Sequence, residues 1–212
     1  MMKTLIFMLF AALLAVGHSS AQTAPNDTVS KGGANENGKD FLLQYYQQTF
    51  DELQKSISGL NEAQLQFKPA AHRWSINQCL SHIVLTEKMI FDYAKKGMEM
   101  PANPKRKSDV KISDEGIIKG ITDRSHKAKA PDENVGNDQK YTASQALSDL
   151  QTQRKEIIDY INKVPLEDLR NHINDSPFGP IDAYHSFLFI SGHTSRHTLQ
   201  IEEVKADKNF PK

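Results

Sequence analysis

The chain has 212 residues, enough for one domain of ordinary size with a sizeable core. Its 26 Lys+Arg balance 26 Asp+Glu, so a formal net charge of zero offers nothing to attract nucleic acid or an anionic membrane surface. A lone cysteine, Cys79, rules out an intrachain disulfide.

Residues 1–21 read as a secretory signal peptide. Lys3 supplies the basic start, Thr4 to Val16 the apolar run, and Ser19 and Ala21 the small residues of a cleavage site. That run is about 13 residues, short of the ~20 that a membrane-spanning helix needs. A retained N-terminal anchor is the alternative. No cysteine follows the run, which excludes a lipid anchor. The mature chain is expected to start at Gln22, exported to a periplasm or beyond and free of the membrane after cleavage. Residues 22–39 are rich in Gly, Asn, Ser, Thr and Lys and almost free of apolar side chains, the composition of a flexible leader.

The folded domain is expected over 40–208. Residues 40–60 predict the first long helix, with Leu42, Tyr46, Phe50, Leu53, Ile57 and Leu60 at spacings of three and four. Asp40 can cap its start, and Gly59 and Asn61 mark its stop. A short turn through Leu65 follows, ended by Pro69. The second helix is predicted over 75–96. Ser75-Ile-Asn-Gln78 fits a capping box, with Trp74 placed to staple the first turn. Its apolar stripes are Ile76, Leu80, Ile83, Ile90 and Ala94, and beside them Cys79, His82, Thr86, Met89 and Tyr93. His82 thus falls within an apolar, core-facing surface.

Residues 98–141 are a long connection with prolines, glycines and many charges. They hold one short helical candidate at 113–122 (Ile117, Ile118, Ile121). Antiparallel neighbours need only a few linking residues, so this length predicts a crossover or a lid, and lets the third helix run parallel to the second. The third helix is predicted from Thr142, with Thr142-Ala-Ser-Gln145 as a second capping box. Its stripe is Leu147, Leu150, Ile157, Ile161 and Val164, and Pro165 ends it. One further turn is expected over 165–171, and a loop over 174–180. Pro180 is suited to the first turn of a fourth helix over 181–204. No segment alternates with period two. The fold class is therefore all-α, a four-helix bundle.

The fourth helix carries the chemistry. In His193-Thr-Ser-Arg-His197 the two imidazoles are four residues apart, so they project from one face. That face runs Phe189, Ile190, His193, His197, Gln200 and Val204, where a bundle helix places core residues. Alone, the pair also fits two partly exposed surface histidines. A core-facing His82 strengthens the metal reading, since an unpaired buried imidazole is costly. Three neutral imidazoles with one open position make a catalytic metal site. Gln200 is a candidate to orient an imidazole, or else an interfacial polar residue. Cys79 lies one turn from His82 and reads as a small buried hydrophobe. His72, His126, His172 and His185 read as structural. Glu87 is five residues from His82, on another face, and is not assigned as a general base. Arg196 reads as a solvated arginine that could meet an anionic substrate. No phosphate-binding glycine loop or CxxC, HExxH or GxSxG motif is present.

Lys68-Pro69 leading into Trp74-Ser75-Ile76 and Leu80-Ser81-His82 resembles the start of the second helix in the DinB superfamily of DinB-like and YfiT-like metalloenzymes. His193-x3-His197-x2-Gln200-Ile201 resembles its last helix. The resemblance spans about residues 40–208, including the Pro-Phe-Gly loop before the last helix. It implies up-down-down-up topology and a divalent metal, zinc or nickel, held by His82, His193 and His197. The reaction expected of such a site is metal-assisted hydrolysis or thiol transfer to a small electrophile. Some members use mycothiol, bacillithiol or glutathione, cytosolic thiols that an exported protein would not ordinarily meet. A small-molecule substrate and a possible homodimer belong to the same expectation. A non-catalytic metal- or partner-binding bundle is the alternative.

Overall fold

A computed structural model describes residues 38–125, 142–176 and 179–212. The predicted signal peptide, most of the predicted leader, and His126 lie outside the described residues. Four long helices make the frame: α1 (Lys39–Ile57), α3 (Ile76–Met98), α5 (Ala143–Lys163) and α7 (Ala183–Lys205). Between them lie the short helices α2 (Glu62–Gln66), α4 (Asp114–Thr122) and α6 (Leu166–Asn171). A 3-10 stretch spans Pro104–Asp109.

Cross-helix pairs give the direction of each long helix. Tyr46 meets Phe187 and Ser56 meets Glu202, so α1 and α7 run parallel. Phe91 packs on Phe187 while Arg73 reaches Glu203, so α3 opposes α7. Glu87 pairs with Arg154 and Phe91 with Tyr160, so α5 runs parallel to α3. The topology is up-down-down-up, as the family resemblance implies and as the length of the 98–141 connection allows. None of the described helices is long and apolar enough to cross a membrane.

Local sequence explains most helix ends. Ser75 accepts from the Gln78 backbone N–H while the Gln78 side chain accepts from the Ser75 N–H, the expected reciprocal box. Thr142 makes only half of the second box, because the Gln145 amide turns to Asp149 instead. Gly38, not Asp40, is the N-cap of α1; Asp40 sits inside the first turn, where its charge complements the helix dipole. The α1 helix stops at Ile57, three residues short of the predicted Leu60, because Gly59 takes a left-handed turn (φ 75°). Asn61 then opens α2 with a capping box of its own.

The stretch expected as a loop before the last helix is a small antiparallel hairpin, β1 (Ile173–Ser176) with β2 (Gly179–Asp182), in register Ile173↔Asp182. Four-residue strands are too short to show a period-two signal, and their Asn, Asp, Ser, Gly and Pro content reads as turn. Pro180 lies in β2, not in the first turn of α7, which begins at Ala183 with Asp182 as its cap.

The interior is divided in two. One apolar cluster gathers Leu42, Tyr46, Phe91, Ile157, Tyr184 and Phe187; the other gathers Leu53, Ile57, Ile76, Leu80, Leu150 and Ile201. Between them each long helix contributes polar side chains: Thr49 from α1, Glu87 from α3, Arg154 from α5, Ser191 and Thr194 from α7. Tyr93, placed in an apolar stripe by periodicity, is exposed, and Phe91 takes the core position instead.

Candidate metal centre

His82 reaches the centre from α3, and His193 and His197 from α7. All three are buried, at 3%, 4% and 6% exposure. Their Nε2 atoms converge: His82 to His193 is 3.2 Å and His193 to His197 is 3.1 Å. One ligand atom from each lies within 4.8 Å of the others. Three imidazole nitrogens bound tetrahedrally at 2.0–2.1 Å would stand about 3.3 Å apart. The observed spacing is close to that without rearrangement.

The donor set also fits a cation chemically. Burial holds His193 and His197 well below the ordinary imidazole range, and the neighbouring imidazoles and arginines push the same way. The rings are therefore neutral near pH 7, each with one lone pair. Nitrogens facing one another cannot all be satisfied by each other's single protons, whereas a divalent ion satisfies all three. His193 Nδ1 is buried with no hydrogen-bond partner among the described residues. His82 Nδ1 lies 3.3 Å from the Thr86 hydroxyl, and His197 Nδ1 lies 3.0 Å from Gln200 Oε1.

Trp74 forms a wall of the site. Its ring stacks on His197 at 6.0 Å and meets His82 edge-on at 4.9 Å. Sequence reasoning gave it only a stapling role; its position just outside the helix that carries His82 was the available signal. The short helix α4 closes on α7 at Gly192, where an added Cβ would stand 2.5 Å from Ile121 Cγ2. Only glycine lets α4 come so near to His193.

The other candidates sort clearly. Glu87 is fully buried and receives Arg154 Nη2 at 2.7 Å together with the Thr194 hydroxyl, so it is bound in the polar layer. Arg154 interrupts the apolar stripe of α5, a signal passed over in the sequence. Arg196 is not solvated: it is buried and donates to the carbonyls of Ile121 and Asp123 at the end of α4. An arginine on the site's flank of a core helix has carbonyls to serve once α4 covers it. His185 is structural as expected, 2.8 Å from Asp114 and 3.4 Å from Asp182, with Arg170 bridging both carboxylates. Cys79 is buried, and burial pushes its thiol up to about 12, so it packs as a hydrophobe and not as a thiolate ligand.

The model of the DinB superfamily matches residues 45–201, from α1 to the last turns of α7. The chain belongs to the DinB superfamily. The uncharacterised protein YuaE of Bacillus subtilis (strain 168) is 27% identical over 159 residues, covering 73% of this chain and 91% of its own. Among solved structures, YfiT from Bacillus subtilis superposes with a TM-score of 0.57 at 13% identity, over 90% of this chain and 95% of its own. That protein is described as a probable metal-dependent hydrolase with an unusual four-helix bundle topology. At that identity the likeness shows the fold, and the three-histidine cluster of this DinB member suits a divalent metal.

Proposed function

We propose that this DinB-superfamily protein is an exported metalloenzyme that holds one zinc or nickel ion on His82, His193 and His197 and acts on a small electrophilic substrate. The observation that carries the reading is the convergence of three buried imidazole nitrogens at 3.1–3.2 Å. Three protein ligands leave a fourth position open, and a divalent ion held there supplies Lewis-acid chemistry. Ligand type does not separate zinc from nickel, since imidazole suits both. Trp74 supplies an apolar face against which a substrate can pack and from which water is excluded. Hydrolysis is favoured over thiol transfer. The chain's own thiol is buried and protonated, and an exported protein would not meet cytosolic thiol cofactors. Thr86 and Gln200 keep the rings oriented.

Near-complete burial of the three histidines favours one other reading, a closed site that holds the fold together. The two differ in what metal loss does. A catalytic centre is emptied without unfolding, whereas a structural one takes much of the stability with it.

The test is the metal content of the mature chain from Gln22, by elemental mass spectrometry, beside single alanine variants of His82, His193 and His197. About one equivalent in the wild type and none in each variant is expected. A wild type that stays empty after incubation with zinc and with nickel would sink the reading. Esters and amides would then be screened first, thiol acceptors second. N-terminal sequencing from the periplasm of an expressing bacterium is expected to read from Gln22.

A further inference from the structure

Each imidazole of the centre can ligate through Nε2 only if its proton sits on Nδ1. Thr86, beside His82 Nδ1, has a hydroxyl that both donates and accepts, and His193 Nδ1 has no hydrogen-bond partner among the described residues. His197 is different. Its Nδ1 lies 3.0 Å from Gln200 Oε1, and the same oxygen accepts from Arg124 Nη1 at 3.1 Å.

An amide presents either an oxygen or an NH2 group, and the two faces are interchangeable by a flip. A guanidinium has five donors and no acceptor, so it requires the oxygen face. Arg124 is itself fixed. It grips Glu203 with two bonds, Nε to Oε1 at 3.0 Å and Nη2 to Oε2 at 2.9 Å, and Arg73 reaches the same carboxylate at 3.4 Å. The backbone that carries Arg124 is fixed too, since Arg196 clamps the carbonyls of Ile121 and Asp123 just before it. With the amide oxygen held toward His197, the ring must donate from Nδ1, and its Nε2 lone pair is free.

We propose that Arg124, at the end of the crossover helix α4, is a positioning residue for the metal centre. Through Gln200 it holds His197 in the one tautomer that can bind an ion. The proposal rests on the three-histidine reading above. Without Arg124 the amide is free to flip, its NH2 would donate to Nδ1, and the proton would move to Nε2. There it would donate to His193 Nε2, 3.1 Å away, and close the site on itself without a metal.

The test reads the tautomer directly, in metal-free full-length mature protein, by long-range proton–nitrogen NMR of the His197 ring. Wild type and Arg124→Lys are expected to show Nδ1–H; Arg124→Leu is expected to populate Nε2–H. Glutamate accepts only, so Arg124→Leu/Gln200→Glu is expected to restore Nδ1–H without the arginine. Zinc affinity, measured by competition with a chromophoric chelator, should fall about 10–100-fold in Arg124→Leu and recover in the double variant. An Arg124→Leu ring that keeps Nδ1–H overturns the proposal, as does a double variant that fails to restore it. A wild type that binds no zinc would instead defeat the metal reading, and the tautomer would still decide the relay.

Discussion

Two buried polar clusters tie α3 to α7 about a turn apart, and they are built on opposite rules. In the Glu87–Arg154 layer the guanidinium donates from all three nitrogens, to the Glu87 carboxylate, the Tyr46 carbonyl and the Thr49 hydroxyl. Thr194 adds a fourth bond to the carboxylate. Charge cancels and donors meet acceptors. In the histidine cluster three nitrogens face one another, and a ring nitrogen of His193 has no hydrogen bond among the described residues. A polar cluster that satisfies itself is architecture; one whose lone pairs converge is built for something the chain does not contain.

The contrast is sharpest in metal-free protein. Replacing Arg154 with Met leaves the Glu87 charge buried without its cation, which should cost about 3–5 kcal/mol. The Glu87→Leu/Arg154→Met pair should recover most of that, because an apolar layer needs no partner. His193→Leu should cost under about 1 kcal/mol, since it removes an unsatisfied polar group. Urea denaturation of the four proteins reads all three effects. Equal losses for Arg154→Met and His193→Leu would erase the distinction between the clusters.

A smaller effect is expected at Gly192, beside His193. An alanine there would drive a methyl to 2.5 Å from Ile121 Cγ2, so α4 must shift. A cost of about 1–3 kcal/mol is expected. The long helices still carry all three histidines, so on the proposed reading zinc stoichiometry should hold. Loss of zinc in a folded Gly192→Ala protein would mean that α4 shapes the ligand geometry itself.

The last effect is the pH slope. Burial holds His193 and His197 below their ordinary 6.5 in the folded chain. Below that pH the unfolded chain takes up protons that the folded chain refuses. Metal-free stability should therefore fall as pH drops through 6.5 and keep falling until the folded values are reached. Above 6.5 these groups leave it flat. A His193→Leu/His197→Leu variant should show a shallower slope between pH 7.5 and 5 in the same urea experiment. An unchanged slope would place the acid sensitivity elsewhere.

What the sequence determined by itself is local. The three-and-four spacing of Leu42, Tyr46, Leu53 and Ile57 specifies a helix and its buried face, and Ser75 with Gln78 specifies where another begins. His193 and His197 share a face because a helical turn is 3.6 residues. The long connection allowed the second and third long helices to run parallel but did not demand it. The tertiary structure decided everything that depends on which face meets which. It brought His82 across to the pair, a separation of 111 residues. It turned Glu87, five residues on, toward Arg154 and away from the site. It laid Trp74 on His197 and returned the end of α4 to Gln200 through Arg124. Periodicity gives the angle of a side chain around its own helix. The angle between helices is set by how their side chains interlock, and the partner of a buried charge can lie anywhere in the chain.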